Sequence, residues 1–168
     1  GFDRPALERE VARGTTELCL HKIEPSVGDC ILLHAGVLHA LGEGLIIPEI
    51  QQSSDTTFRL FDWNRVGADG KPRQLHVEQA LNSIDFDRGP LTVQTPKTTE
   101  VAHVWRLAEC DKFVLDRWHF ETSERIGGDD RFHIVAVLQG AIDVAGDPSE
   151  EPLSVGQVML LPAAVGQV

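Results

Sequence analysis

The sequence predicts an all-β protein, a sandwich or jelly roll carrying two short helices. Three observations lead there. Short apolar or alternating runs recur at close spacing along most of the 168 residues. Gly, Pro and Ser-Asp pairs punctuate them, and period-two alternation marks strands with one buried face. The stretch Gly28-Asp-Cys-Ile-Leu-Leu-His-Ala-Gly-Val-Leu-His39 returns in outline as Gly156-Gln-Val-Met-Leu-Leu-Pro-Ala-Ala-Val-Gly-Gln167. An internal repeat of this kind indicates two related units.

Pro5–Arg13 reads as a helix, opened by proline, with Leu7 and Val11 four apart and Gly14 closing it. From Thr16 to residue 62 the signal is β: Leu18 and Leu20 alternate with their neighbours, and Ile31–Leu33, Gly44–Gln51 and Thr56–Phe61 form short runs. Asn64–Arg73 is a polar loop with Asp69-Gly70 as its turn. Leu75–Ile84 reads as a second helix, with Leu75, Ala80, Leu81 and Ile84 apolar. Residues 87–99 fall in a Pro-, Gly-, Asp- and Thr-rich stretch and read as a linker between units at 1–86 and 100–168. Strands are then expected at Val101–Leu107, Phe113–Phe120, Phe132–Leu138, Ala141–Val144 and Val158–Leu161, with Trp105 and Trp118 in the core of the second unit.

Fifteen Lys and Arg against 26 Asp and Glu give a net charge of −11. Such a surface repels nucleic-acid phosphates and anionic lipid, so neither is expected as a partner, and a phosphorylated substrate needs a locally basic pocket. No apolar run approaches the roughly 20 residues of a membrane span. Cys19, Cys30 and Cys110 are odd in number and widely spaced. They read as free thiols in a reducing, cytoplasmic setting.

In the first repeat, Ile31–Leu33 runs into a tight turn at Ala35-Gly36, and His39 follows. Gly36 can take the positive φ that directs such a turn. A histidine on a strand edge beside a turn is how a β-barrel can present a metal ligand. The spacing resembles the second sequence motif of the cupins, with His34 where proline is usual. In the second repeat Gln167 stands where His39 was, so only the first unit is expected to hold a metal.

Downstream, strand periodicity puts Glu49 and Gln51 on one face, and Thr57, Arg59 and Phe61 on another, with Phe58 and Leu60 opposite. Charges set in apolar runs are costly unless paired or functional. Glu49 and Arg59 pointing inward would place a carboxylate and a guanidinium near His39. That set suits chemistry in which a proton moves while negative charge builds on oxygen.

His39-Ala-Leu-Gly, Glu49-Ile-Gln-Gln-Ser-Ser-Asp-Thr-Thr-Phe-Arg59-Leu-Phe-Asp-Trp and Asp69-Gly-Lys-Pro-Arg-Gln-Leu-His76 together resemble the type I mannose-6-phosphate isomerases in their short bacterial form, most densely over residues 28–80. The resemblance implies cupin-type jelly-roll barrels, part of a first unit and most of a second. It implies interconversion of mannose 6-phosphate and fructose 6-phosphate through a cis-enediol, assisted by zinc. His39 is similar to the last of the family's four zinc ligands (a glutamine, two histidines and a glutamate), and the other three are expected upstream of this chain. Arg59 looks like the arginine of the sugar-phosphate pocket, Asp55 like the acid four residues before it, and Glu49 like the carboxylate on the preceding strand. The group that takes the C2 proton is left open.

Plainer roles stand beside these. Arg59 could pair with Glu49 or Asp55 for structure, Asp55 could end a turn, and His76 could pack a helix start. Lys71 and Arg73 could reach a phosphate from their loop or lie solvated. Both ends of the chain read as cut. Three functions remain in view: a portion of the isomerase, a non-catalytic cupin module binding a sugar phosphate or a protein, and another cupin enzyme recruiting His21 or His34 as ligands. An incomplete barrel exposes strand edges, so self-association is expected.

Overall fold

Helix α1, Arg4–Arg13, starts one residue before the expected Pro5: the Asp3 carboxylate accepts from the Ala6 N–H at 2.9 Å, with proline in the first turn. It ends at Gly14, left-handed at φ 73°, whose N–H bonds back to Val11. The computed structural model describes residues 2–54, 56–63 and 65–168. A 3-10 turn, Thr16–Cys19, follows α1. Helix α2 spans Val77–Ser83, shorter at both ends than Leu75–Ile84.

The strands are β1 Lys97–Thr98, β2 Val104–Glu109, β3 Val114–Trp118, β4 His133–Ala136, β5 Ala141–Ile142, β6 Leu153–Ser154 and β7 Val158–Leu161. They form three antiparallel sheets: β1-β2-β3, β4-β7 and β5-β6. A bulge between Arg106 and Ala108 shifts the β2–β3 register. Directly opposite Arg106, Asp116 takes its guanidinium at 2.5 Å, and Glu109 takes it at 2.8 Å.

The largest departure from expectation is at 20–62, where no described residue joins a named strand. The described residues there are irregular, with turns at 27–28, 35–36 and 43–44, and none of them joins a ladder. Leu41, Leu45, Ile46, Ile47 and Ile50 are all exposed, Ile46 completely. Apolar alternation signals a face to be buried, and a strand forms only where a partner supplies hydrogen bonds.

By packing, the chain divides after Trp118 into two compact units. The expected linker at 87–99 therefore lies within the first, where β1 pairs with β2. Trp105 and Trp118 belong to that unit too, half-buried. Its core is Leu7, Leu60, Ala80 and Leu81, with Val11, Cys19, Leu38, Val77, Ile84 and Phe86 packed against them. Arg4 donates to Asn82 at 2.8 Å and ties α1 to α2. The second unit buries Val137, Leu153 and Leu161. All three cysteines are free, and burial raises the thiol pKa of Cys19 and Cys30. No described helix is long and apolar enough to cross a membrane.

Candidate functional site

Two glycine turns frame the first motif. The Asp29 N–H donates to the Ser26 carbonyl at 3.1 Å, and the Ser26 N–H donates back to the Asp29 carboxylate at 2.8 Å. Gly28 sits inside this turn at φ 92°. Arg117, stacked over Trp105, donates to the Gly28 carbonyl at 3.2 Å. The second turn closes from the Val37 N–H to the His34 carbonyl at 3.2 Å, with Gly36 at φ 84°. That pattern, positive φ at the third residue, is a type II turn. Gly36 also abuts the end of α2: the Asp85 N–H donates to its carbonyl at 2.9 Å, and an added Cβ would lie 3.0 Å from the Ser83 carbonyl oxygen.

Leu38 then packs on the core and His39 is exposed. The His39 Nδ1 lies 2.9 Å from the Val37 carbonyl oxygen. A carbonyl only accepts, so Nδ1 carries a proton, and in the neutral ring the Nε2 lone pair is left free. This is the tautomer a metal-ligating histidine uses, its other nitrogen oriented by a backbone carbonyl.

Around Arg59 the alternation expected of a strand is partly realised. Leu60 and Asp62 are buried, while Arg59 and Phe61 are half-buried. Phe58, expected to share the Leu60 face, is instead exposed. The Arg59 backbone pairs both ways with His76: its N–H donates to Nδ1 at 3.3 Å, and its carbonyl accepts from the His76 N–H at 2.8 Å. The Arg59 guanidinium donates to the Gln74 carbonyl at 3.3 Å.

Asp62 was not singled out by its sequence, yet it is buried and grips Arg73 through both carboxylate oxygens, one contact at 2.7 Å. The hydrogen bond from Arg73 holds the Asp62 carboxyl below its ordinary pKa, with the charges of Arg73, Arg59 and Arg65 in the same direction and burial opposing them. Arg73 is therefore committed to a carboxylate. Lys71 ends a small hairpin closed by Gly67 N–H to the Lys71 carbonyl at 2.8 Å and by the Val66–Pro72 bridge. Its side chain is exposed.

The structure ties His39 and Arg59 to one nucleus, because their neighbours Leu38 and Leu60 share the core cluster. Glu49 is exposed in the irregular 41–50 stretch. Asp55 lies outside the described residues. Among the described residues no three His, Cys, Asp or Glu groups come together as a metal site. His39 is thus one well-oriented donor, and neither His21 nor His34 joins it in such a group. These residues do not by themselves fit a zinc ion, which takes three or four protein ligands.

No family model matches the chain. Curated relatives do. It is 30% identical over 159 residues to the mannose-6-phosphate isomerase ManA of Bacillus subtilis, a match covering 94% of this chain and 50% of that protein. It is 27% identical to the mannose-6-phosphate isomerase of Streptococcus mutans over 95% of this chain and 50% of that protein. The crystal structure of the mannose 6-phosphate isomerase from Bacillus subtilis superposes with a TM-score of 0.58 at 24% identity, over 69% of this chain and 37% of that one. This likeness shows the fold, a cupin-type β architecture. The chain spans about half the length of the curated relatives it matches. It is a homologue of the mannose-6-phosphate isomerases over nearly its whole length, and what it matches is consistent with their C-terminal portion.

Proposed function

We propose that this chain contributes to an aldose–ketose isomerase site that interconverts mannose 6-phosphate and fructose 6-phosphate. The observation that carries the reading is that two groups held by backbone carbonyls, the His39 imidazole and the Arg59 guanidinium, each adjoin in sequence a residue of one core cluster, Leu38 and Leu60. The named relatives point the same way.

The reaction moves a proton between C2 and C1 through a cis-enediol, so negative charge develops on the sugar oxygens. Arg59 offsets that charge or holds the phosphate, at a fixed place rather than on a free side chain. Lys71, presented by its hairpin, adds a second cation for the phosphate. Glu49 and Asp55 are the proposed carboxylates of the pocket. His39 would be the one residue here to hold a zinc ion, which would polarise the sugar oxygens, if its other donors came from outside these residues. The unit boundary at 87–99 is proposed as the seam between a ligand-bearing and a ligand-less cupin repeat, distinct from the packing division after Trp118.

The test is a coupled isomerase assay with mannose 6-phosphate and added zinc, on this chain and on the full product of its gene, each beside His39→Ala and Arg59→Gln. Activity in the full gene product that both substitutions abolish supports the reading. Sugar-phosphate binding without turnover in either protein replaces it with a non-catalytic cupin module.

A further inference from the structure

Among the described residues, the side chain that bonds the Arg59 backbone N–H is the imidazole of His76, seventeen residues further along the chain. The N–H can only donate, so Nδ1 of His76 must be unprotonated and its proton must sit on Nε2. The contact is one of three that converge on Arg59. The His76 N–H closes the reciprocal bond at 2.8 Å, and the Gln74 carbonyl takes the guanidinium at 3.3 Å. His76 is also the residue before α2, where the Ala80 N–H donates to its carbonyl at 2.8 Å. Its ring meets Phe58 edge-on at 6.3 Å between centroids. Arg59 is therefore fixed from the start of α2, a helix whose Ala80 and Leu81 lie in the core.

We propose that His76 is a positioning residue that holds Arg59 in place through its Nδ1-acceptor tautomer, and that protonating His76 releases Arg59. This rests on the reading of Arg59 as a substrate-binding arginine. A doubly protonated imidazole has no acceptor, so Nδ1–H would face the Arg59 N–H, donor against donor. It would also set a second positive charge beside the guanidinium. Both effects push the 58–60 segment away from the 74–76 segment. The charged groups on the elements packed here are Arg59 itself, the Asp62–Arg73 pair and Glu78 in the first turn of α2. The Arg4–Glu8 pair lies on α1.

Two measurements test this, and they fail separately. The first is nitrogen-15 NMR of this chain, reading the His76 tautomer and Arg59 amide exchange as pH falls across the range where imidazoles change charge, roughly 8 to 5. The expected result is Nε2–H at high pH, with faster Arg59 exchange as the ring protonates. A proton on Nδ1 at high pH, or Arg59 exchange that ignores the titration, overturns the proposal whatever the protein's function.

The second is mannose 6-phosphate binding by the full product of the gene, wild type beside His76→Asn and His76→Leu. Asparagine can accept through Oδ1 at the Nδ1 position without titrating, whereas leucine cannot accept. We expect the wild type to lose affinity about tenfold on acidification beyond the loss from phosphate protonation, the asparagine variant to show only that phosphate loss, and the leucine variant to bind weakly throughout. Identical pH profiles for wild type and asparagine variant overturn the proposal. No binding by the wild type at any pH, with the NMR result as expected, overturns the isomerase reading and leaves the clamp on Arg59 standing.

Discussion

Replacing Gly36 with alanine isolates the turn that sets His39. Two costs add. Gly36 sits at φ 84°, a left-handed conformation that costs an L-residue about 1–2 kcal/mol. The new Cβ would meet the Ser83 carbonyl oxygen at 3.0 Å and the Asp85 Cβ at 3.3 Å, and overpacking of that kind costs about 1–3 kcal/mol. Against these, alanine restricts the unfolded chain and returns about 0.4–1 kcal/mol. The balance is a destabilisation of about 1–4.5 kcal/mol, centred near 3.

Gly44 is the control. Its φ is 76°, and nothing lies within 4 Å of its added Cβ. Gly44→Ala carries the backbone strain alone, less the same entropic return, and should cost about 1 kcal/mol or less. Urea unfolding followed by far-ultraviolet circular dichroism, with the slope compared between variants, gives both values. Equal costs for the two substitutions would refute the argument, because they would show that contact with the end of α2 contributes nothing to the Gly36 turn.

Leu60→Ala removes the central side chain of the small core and should cost about 2–4 kcal/mol in the same assay, toward the lower end because the cluster is partly open. The Asp62 carboxyl has a lowered folded-state pKa. Its contribution to stability is therefore present above the ordinary carboxylate pKa and lost as pH falls through the lowered one. Asp62→Asn should flatten that acid limb of the stability–pH curve and lower stability at neutral pH, and an unchanged limb would count against the Arg73 pairing. The exposed apolar stretch from Leu41 to Ile50 and its unpaired backbone should drive self-association of this chain. Light scattering should show the apparent mass rising with concentration, and less so in Ile46→Lys.

Local features were legible in the sequence, and features that depend on a partner were not. The start and end of α1 follow from Pro5 and Gly14, residues whose backbone preferences act locally. The run Val158–Leu161 is a strand with the bounds its pattern gives, because β4 lies beside it. Its counterpart Ile31–Leu33 has the same pattern and no ladder, since alternation says which face seeks burial and not whether a second strand is at hand. Arg59 was readable as a charge inside an apolar run. The burial of Asp62 was signalled only by its parity with Leu60, and its partner Arg73 lies eleven residues on. No spacing rule links those two positions.

The two repeats differ in what they leave at the position of His39. Both open with Ser-Val-Gly, and both close that turn alike. Gln157 N–H donates to the Ser154 carbonyl at 3.0 Å and its side chain takes the Ser154 N–H at 2.6 Å, as Asp29 does for Ser26. Both keep the second turn too, Val165 N–H reaching the Pro162 carbonyl at 3.0 Å as Val37 reaches His34. The repeats part at the third residue of that turn. Gly36 adopts positive φ, whereas Ala164, which carries a Cβ, lies in a 3-10 turn, Ala163–Val165. The chain beyond then goes elsewhere. Gln167 forms a bridge with Gly127, and Val168 exchanges both backbone bonds with Ile126. An added Cβ on Gly127 would lie 2.6 Å from the Gly166 carbonyl oxygen, so the two backbones meet without room for a side chain. In the second repeat the position of His39 is taken up by strand pairing. In the first, the glycine turn leaves His39 out of any ladder, its Nδ1 held by Val37 and its Nε2 free to bind.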